Sequence, residues 1–362
     1  MKKICTVILI ALWGTLAVLS WCLPAKDISQ SERRPLAQRP ECSAEALVSG
    51  EYMEDFEDYA LDQFPFREGF RQLKALFHYY ALGQKDNNGI YLAKGYAVKQ
   101  EYPLNEASVD HFLERMNALY EKYLTGCSVT MAIVPDKGCY LAQDSGQLQL
   151  SYDALKTKIV QGMPWADHVD LTDSLSYEDY YRTDTHWRQE RLIPAAETLA
   201  EALGVTAPRL EDYTQTALAR PFYGVYYGQA ALPMASETLY LLESEKLDAC
   251  RVYDWETGKY GSIYDLEKGK NARDPYDVYL SGAKGLLTIE NPNAGTDREL
   301  IVFRDSFGSS MVPLLVGDYK TVTLVDVRYI RMELLGQFLD IKDQDVLLLY
   351  STLVLNQSKA IG

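Results

Sequence analysis

The stretch ELIVFRDSFGSSMVPLL, residues 299–315, decides how the chain is read. Its first part, ELIVFR, is an apolar run of strand length, and a helical pattern follows. Asp305-Ser306-Phe307-Gly308 falls on the junction. A serine on a sharp strand-to-helix turn stands at the carboxyl edge of a sheet, where open α/β folds place their ligands. Two more apolar strands follow, 321–327 in KTVTLVDVRYI and 345–350 in DQDVLLLYSTLVLN, with helical segments between them. Strands separated in this way make a parallel sheet with crossovers.

Working back from that stretch, SVTMAIV (128–134) is a buried strand ending at Pro135-Asp136-Lys137, and HVDL (168–171) is a second, shorter one. Helical patterns occupy Asn105 to Leu124, Ser151 to Val160 and Arg188 to Leu203, and an amphipathic helix is predicted over Phe66 to Leu82. Asn88-Gly89 marks a turn, and IYLAKGYAVK (90–99) after it is a short hairpin. The alternation predicts an α/β layered fold. Residues 205–292, rich in Tyr and Gly as in PFYGVYYGQA (221–230) and YDVYLSGAKG (276–285), read as a β-rich insertion or lid.

Two segments could do chemistry together. Ser306 opens a helix whose first amides would face an oxyanion, and Gly308 would let backbone approach closely. Asp-Ser before a helix is also an ordinary N-cap. The second segment is YYRTDTHW (180–187), in which Asp184 and His186 point to the same side of an extended chain. The carboxylate can then fix one imidazole nitrogen while the other takes a proton from a serine hydroxyl. Its bland counterpart is a loop histidine beside a helix cap.

The rest of the chain frames this site. Of 362 residues, 47% are apolar and 24% charged, a globular balance. The net charge of −15 makes nucleic acid an unsuitable partner. Tyrosine is abundant, 27 against 10 phenylalanines, which suits either a sugar-binding cleft or a Tyr-rich core. Lys2 and Lys3 precede the apolar run ICTVILIALWGTLAVLSWCL (4–23), long enough as a helix to span a bilayer. An uncleaved anchor is favoured over a signal peptide, because the run is long and Trp21-Cys22-Leu23-Pro24 offers no small-x-small site. The expected organisation is a signal anchor or signal peptide (1–23), an extracytoplasmic linker (24–48) and an α/β domain (49–362), with the chain outside the cytoplasmic membrane. Cys42, Cys127, Cys139 and Cys250 permit disulfides without demanding them. Neither CxxC nor HExxH spacing occurs, so no metal or cofactor is expected.

Several motifs carry a resemblance. SERRPLAQRPE (31–41), DQFPFREGF (62–70), the Asn88-Gly89 hairpin, PDK (135–137), TDTHW (183–187), PFYGVYY (221–227), RDSFGSSMVPLL (304–315) and LVDVRY (324–329) resemble, in order and spacing, the DHHW protein family of Gram-positive bacteria. DHHW proteins in turn resemble the alginate O-acetyltransferase proteins, whose SGNH-hydrolase-like domain is circularly permuted. The resemblance implies an SGNH-like parallel sheet with Asp184 as acid, His186 as base and Ser306 as nucleophile. It also implies an O-acetyltransferase acting on a cell-surface glycan beside a membrane-bound O-acyltransferase. A carbohydrate acetylesterase or a non-catalytic glycan-binding scaffold protein are the alternatives. Two departures stand out: Thr185 replaces the first histidine of the family's name, and Arg304 replaces the glycine of Gly-Asp-Ser.

No Gly-x-Asn-Asp supplies oxyanion donors, which leaves Phe307, Gly308 and Ser351 as candidates and Gly282 as a weaker one. Asn356 reads as structural. Lys137 either forms the pocket or is a solvated turn lysine, and Arg328 either meets an anionic substrate or pairs with Asp326. Trp187 and Tyr226 line a sugar cleft or pack in the core.

Overall fold

The computed structural model describes residues 2–361; Met1 and Gly362, the ends of the expected anchor and α/β domain, lie outside the described residues. The chain divides into two compact units, one of Met1–Asn88 and Tyr227–Met234, the other of Gly89–Tyr226 and Ala235–Gly362.

The larger unit is built on an eight-stranded sheet. Its strands are β1 (Ser128–Val134), β2 (Asp167–Asp170), β3 (Arg251–Asp254), β4 (Lys259–Gly261), β5 (Leu286–Glu290), β6 (Glu299–Arg304), β7 (Thr321–Val325) and β8 (Asp345–Ser351). They lie in the order β4-β3-β5-β7-β6-β8-β1-β2. From β7 to β2 neighbours run parallel, while β5, β3 and β4 extend one edge antiparallel. The α/β fold read from the sequence is therefore the fold observed.

Alternation along the strands separates two cores. Ala132, Val134, Leu300, Val302, Leu347 and Leu349 face one side, where they meet helix Ile193–Leu203 through Ala196, Leu199 and Ala200. Val129, Met131, Ile301, Phe303, Val346 and Leu348 face the other, against Glu106–Leu119 and Tyr152–Gly162 through Phe112, Met116, Leu155 and Ile159. Each of the Val, Leu, Ile, Phe and Met side chains among them is worth about 1.5–3 kcal/mol when buried. Both cores grip the parallel strands, so the carboxyl edge of β6 is held from either side.

Two sequence expectations shift. The helix read from Arg188 begins at Ile193, after a 3-10 turn at Gln189–Arg191, because Pro194 in its first turn has no N–H to continue an earlier start. The stretch 205–292 is only partly an insertion: Thr214–Phe222 and Glu237–Glu243 pair separately, but β3, β4 and β5 belong to the main sheet. In β4 all three residues are exposed, so no apolar periodicity announces it.

The smaller unit begins with helix Lys2–Cys22, of which Lys3–Cys22 is long and apolar enough to cross a membrane. Helices Ala44–Ser49, Glu51–Asp62 and Arg67–Leu76 follow, the last continued by a π-turn at Phe77–Ala81. Arg34 holds Asp62 through two charge-assisted bonds of 2.7 and 2.5 Å. Together with the Ala37 amide, that pairing draws the Asp62 carboxyl down to about 2. Among the described residues the cysteines are free.

Candidate active site

β6 delivers its last residue, Arg304, to a turn that Asp305 organises. Asp305 Oδ1 accepts the Phe307 amide at 3.0 Å, and Oδ2 accepts the Ser351 amide at 2.8 Å from the end of β8. The Gly308 amide donates to the Asp305 carbonyl at 3.1 Å. A Cβ on Gly308 would lie 2.8 Å from Arg304 Cβ, so only glycine fits over this arginine. Ser306 is left as the half-buried residue of a buried turn. The helix that follows, Gly308–Met311, is a single turn before a 3-10 segment at Val312–Leu315.

The Thr183–Trp187 loop brings the other two groups. Its entry is fixed by Glu237, whose carboxylate accepts the Arg182 and Thr183 amides, both at 2.8 Å, and the Thr183 hydroxyl at 2.7 Å. Asp184 is wholly buried. Its Oδ1 accepts both the His186 amide (3.0 Å) and Nδ1 (2.6 Å), while Oδ2 accepts the Val225 amide at 2.7 Å. A carboxylate can only accept here, so Nδ1 carries the imidazole proton and Nε2 has its lone pair free. The Ser306 hydroxyl donates into that lone pair, with Oγ and Nε2 2.8 Å apart. The structure thus brings Asp184, His186 and Ser306 into one hydrogen-bonded line.

Other contacts fix the line in place. Tyr276 stacks on the His186 ring, centroids 4.0 Å apart and planes 11° from parallel, and its hydroxyl meets Ser310 Oγ at 2.7 Å. Gly224 lies so close that a Cβ would come within 2.3 Å of Asp184 Cα and of the Thr183 carbonyl oxygen. Glu237, Gly224, Val225 and Tyr276 escaped the sequence reading. The only hint was PFYGVYY (221–227), where an aromatic-flanked glycine signals close backbone approach.

The lesser candidates sort differently. Lys137 is not a solvated turn lysine: it is 2% exposed and donates to the Tyr181 and Asp184 carbonyls at 2.9 and 2.7 Å. Burial pulls its pKa down to about 7, against the opposing pull of Asp184, Glu237 and Asp136. Phe307 and Gly308 spend their amides on Asp305, and so does Ser351, whose hydroxyl caps the Val354 amide at 3.3 Å. Arg328 pairs with Asp326 through Nε (2.8 Å) and Nη2 (2.6 Å). Trp187 is fully buried, and its indole N–H holds the Phe307 carbonyl (3.2 Å) and Ser310 Oγ (2.9 Å), so it braces the turn of Ser306 from the core. Tyr226, also buried, donates to the Thr185 hydroxyl at 3.0 Å. Gly282 sits at φ +79° against Asp277, a turn glycine. Asn356 accepts the Asn105 amide at 2.7 Å and is structural.

A mostly parallel sheet with serine, histidine and aspartate gathered at its carboxyl edge defines an α/β protein with a candidate serine site. Residues 168–325 match the model of the DHHW protein family, so the family resemblance carried by the motifs holds. No curated protein matches the chain. Among solved structures, a DHHW family protein from Eubacterium siraeum is 19% identical with a TM-score of 0.59, over 76% of this chain and 93% of that one. Bacillus cereus PatB1 with a sulfonyl adduct is 18% identical with a TM-score of 0.57, over 74% and 97%. These two share the fold. The O-acetyltransferase domain of Pseudomonas putida AlgJ is more distant, 14% identical with a TM-score of 0.44 over 74% and 92%.

Proposed function

We propose that the chain is a serine O-acyltransferase of the cell envelope that acetylates a surface glycan. The observation that carries this is the unbroken line from Asp184 through both His186 nitrogens to Ser306 Oγ, at 2.6 and 2.8 Å. In the first half-reaction Ser306 Oγ attacks the acyl carbon of the donor while His186 Nε2 takes the hydroxyl proton. The leaving group departs with that proton, and an acyl-serine remains. A glycan hydroxyl then gives its proton to Nε2, attacks the acyl carbon and restores Ser306. Asp184 holds the Nδ1 proton throughout and stabilises the imidazolium. The Lys3–Cys22 helix, acting as an uncleaved anchor, would hold the site outside the membrane near a membrane-bound O-acyltransferase that supplies the acyl group. Water in place of the glycan would make the same protein an acetylesterase.

One observation favours a non-catalytic, glycan-binding role: Asp305 ties up the Phe307 and Gly308 amides, leaving those two unavailable to an oxyanion. The deciding experiment incubates the chain with p-nitrophenyl acetate and reads both nitrophenol release and the mass of the intact protein. Catalysis predicts turnover or a single acetyl adduct, lost in Ser306→Ala. Identical behaviour of wild type and variant would move the assignment to a scaffold on a hydrolase fold. Supplying candidate glycans as acceptors then separates transfer from hydrolysis.

A further inference from the structure

Within the smaller unit, the helix Arg67–Leu76 and its continuation Phe77–Ala81 show two unlike faces. Arg67 and Arg71 reach Glu32 at 2.5 and 3.3 Å, and Ala75 is fully buried, so one face is packed. On the other, Phe66, Phe70, Leu73, Phe77 and Tyr80 are 69, 44, 62, 54 and 65% exposed. The spacing of three, four and three residues from Phe70 to Tyr80 keeps those four in one stripe along the helix, and Phe66 stands at its start as the N-cap. A run of large apolar side chains this long, open to solvent, marks a binding surface and not ordinary surface scatter.

What covers it follows from the element beside it. Lys3–Cys22 is long and apolar enough to span a bilayer. Its exit is tied to the base of the stripe: the Lys26 amide donates to Gln63 Oε1 at 2.9 Å, and Gln63 Nε2 donates to the Lys26 carbonyl at 2.9 Å. Leu23 and Pro24 line one cavity, of about 660 Å³, with Phe66 and Gly69. Exposed Trp21 is a side chain suited to the membrane–water boundary. The first residue of the stripe therefore lies at the level where the chain leaves the lipid. No charge interrupts the stripe, and exposed Lys74 flanks it.

We infer that the helix over residues 67–81 is a second membrane contact, lying in the lipid interface with Phe66, Phe70, Leu73, Phe77 and Tyr80 turned into the acyl boundary. The smaller unit is then held by a spanning helix and an interfacial one at right angles in function, the first fixing position and the second fixing tilt. The inference uses the anchor reading of Lys3–Cys22 and is independent of the chemistry at Ser306.

The full chain is reconstituted in phosphatidylcholine–phosphatidylglycerol vesicles carrying a lipid with a diazirine in its acyl chain, irradiated, and mapped by peptide mass spectrometry. Lipid adducts are expected on both the N-terminal helix and the 66–82 peptide. In Phe70→Ser/Leu73→Ser/Phe77→Ser the second set falls to background while the first persists, and Phe70→Leu/Phe77→Leu retains both. Adducts confined to the N-terminal helix of the wild-type chain would overturn the inference while leaving the anchor intact. Absence of adducts on the N-terminal helix would overturn the anchor itself, and with it this placement.

Discussion

Tyr276 lies flat against the imidazole of His186, 4.0 Å between centroids, and ties its own hydroxyl to Ser310 on the turn that carries Ser306. One side chain thus braces both the proposed base and the turn of the proposed nucleophile. Burial holds the Tyr276 phenol far above the ordinary tyrosine range, so it stays neutral and serves as a shelf.

Tyr276→Phe keeps the ring face and loses one hydrogen bond, for a stability cost of about 1 kcal/mol and little loss of acylation rate. Tyr276→Ala frees the imidazole to rotate and should slow acylation about 10²-fold, the order set by misplacing a reacting group. Single-turnover acylation with p-nitrophenyl acetate measures both; equal rates for Tyr and Ala would show that the shelf is dispensable.

Asp184→Asn tests the acid. One oxygen now accepts from His186 and the other from Val225, so an amide must present N–H to an N–H on one side. The acyl-enzyme rate should fall about 10⁴-fold, as expected when the histidine is held in the wrong tautomer. Unchanged kinetics in a correctly folded variant would remove Asp184 from the mechanism.

Gly224→Ala probes the same carboxylate from behind. The added methyl would fall 2.3 Å from Asp184 Cα, and backbone has to yield. A stability loss of about 1–3 kcal/mol by urea titration is expected, with activity falling further than unfolding alone explains. If activity tracks the folded fraction, the close approach serves packing only.

Lys137→Met carries a pH signature. The folded pKa of Lys137 is drawn down to about 7, below its unfolded value. From pH 7 upward the unfolded chain binds a proton that the folded chain has released, so stability rises with pH until the unfolded lysine also titrates. Below pH 7 the cost of burying the charge is constant. The wild type should therefore gain on the methionine variant between pH 7 and 10, by at most about 1.4 kcal/mol per unit. Urea midpoints that stay parallel across that range would contradict it.

What the sequence disclosed, and what it hid, divides along physical lines. β1, β6, β7 and β8 were legible because strands buried on both faces are unbroken apolar runs. β3 and β4 were not, since β4 at the sheet's edge is wholly exposed and β3 beside it has a single buried residue, so neither carries such a run. Asp184, His186 and Ser306 were brought together by the logic of donor and acceptor, which leaves a trace in residue type. Val225 acts through its amide from 41 positions away, and a backbone N–H has no letter of its own. Trp187 was ambiguous for a different reason: an indole can line a cleft or brace a core, and only its burial decides.

The path of the chain has a consequence for how the protein could be taken apart. Gly89–Tyr226 carries Asp184 and His186, Ala235–Gly362 carries Ser306, and the link between them, Tyr227–Met234, belongs to the other unit. Severed within that link, the polypeptide becomes two fragments, each holding part of the Asp184–His186–Ser306 hydrogen-bonded line. On the proposed chemistry, labelling of Ser306 by a serine-reactive reagent would then report the meeting of two separate molecules, turning this α/β fold into a sensor of its own reassembly.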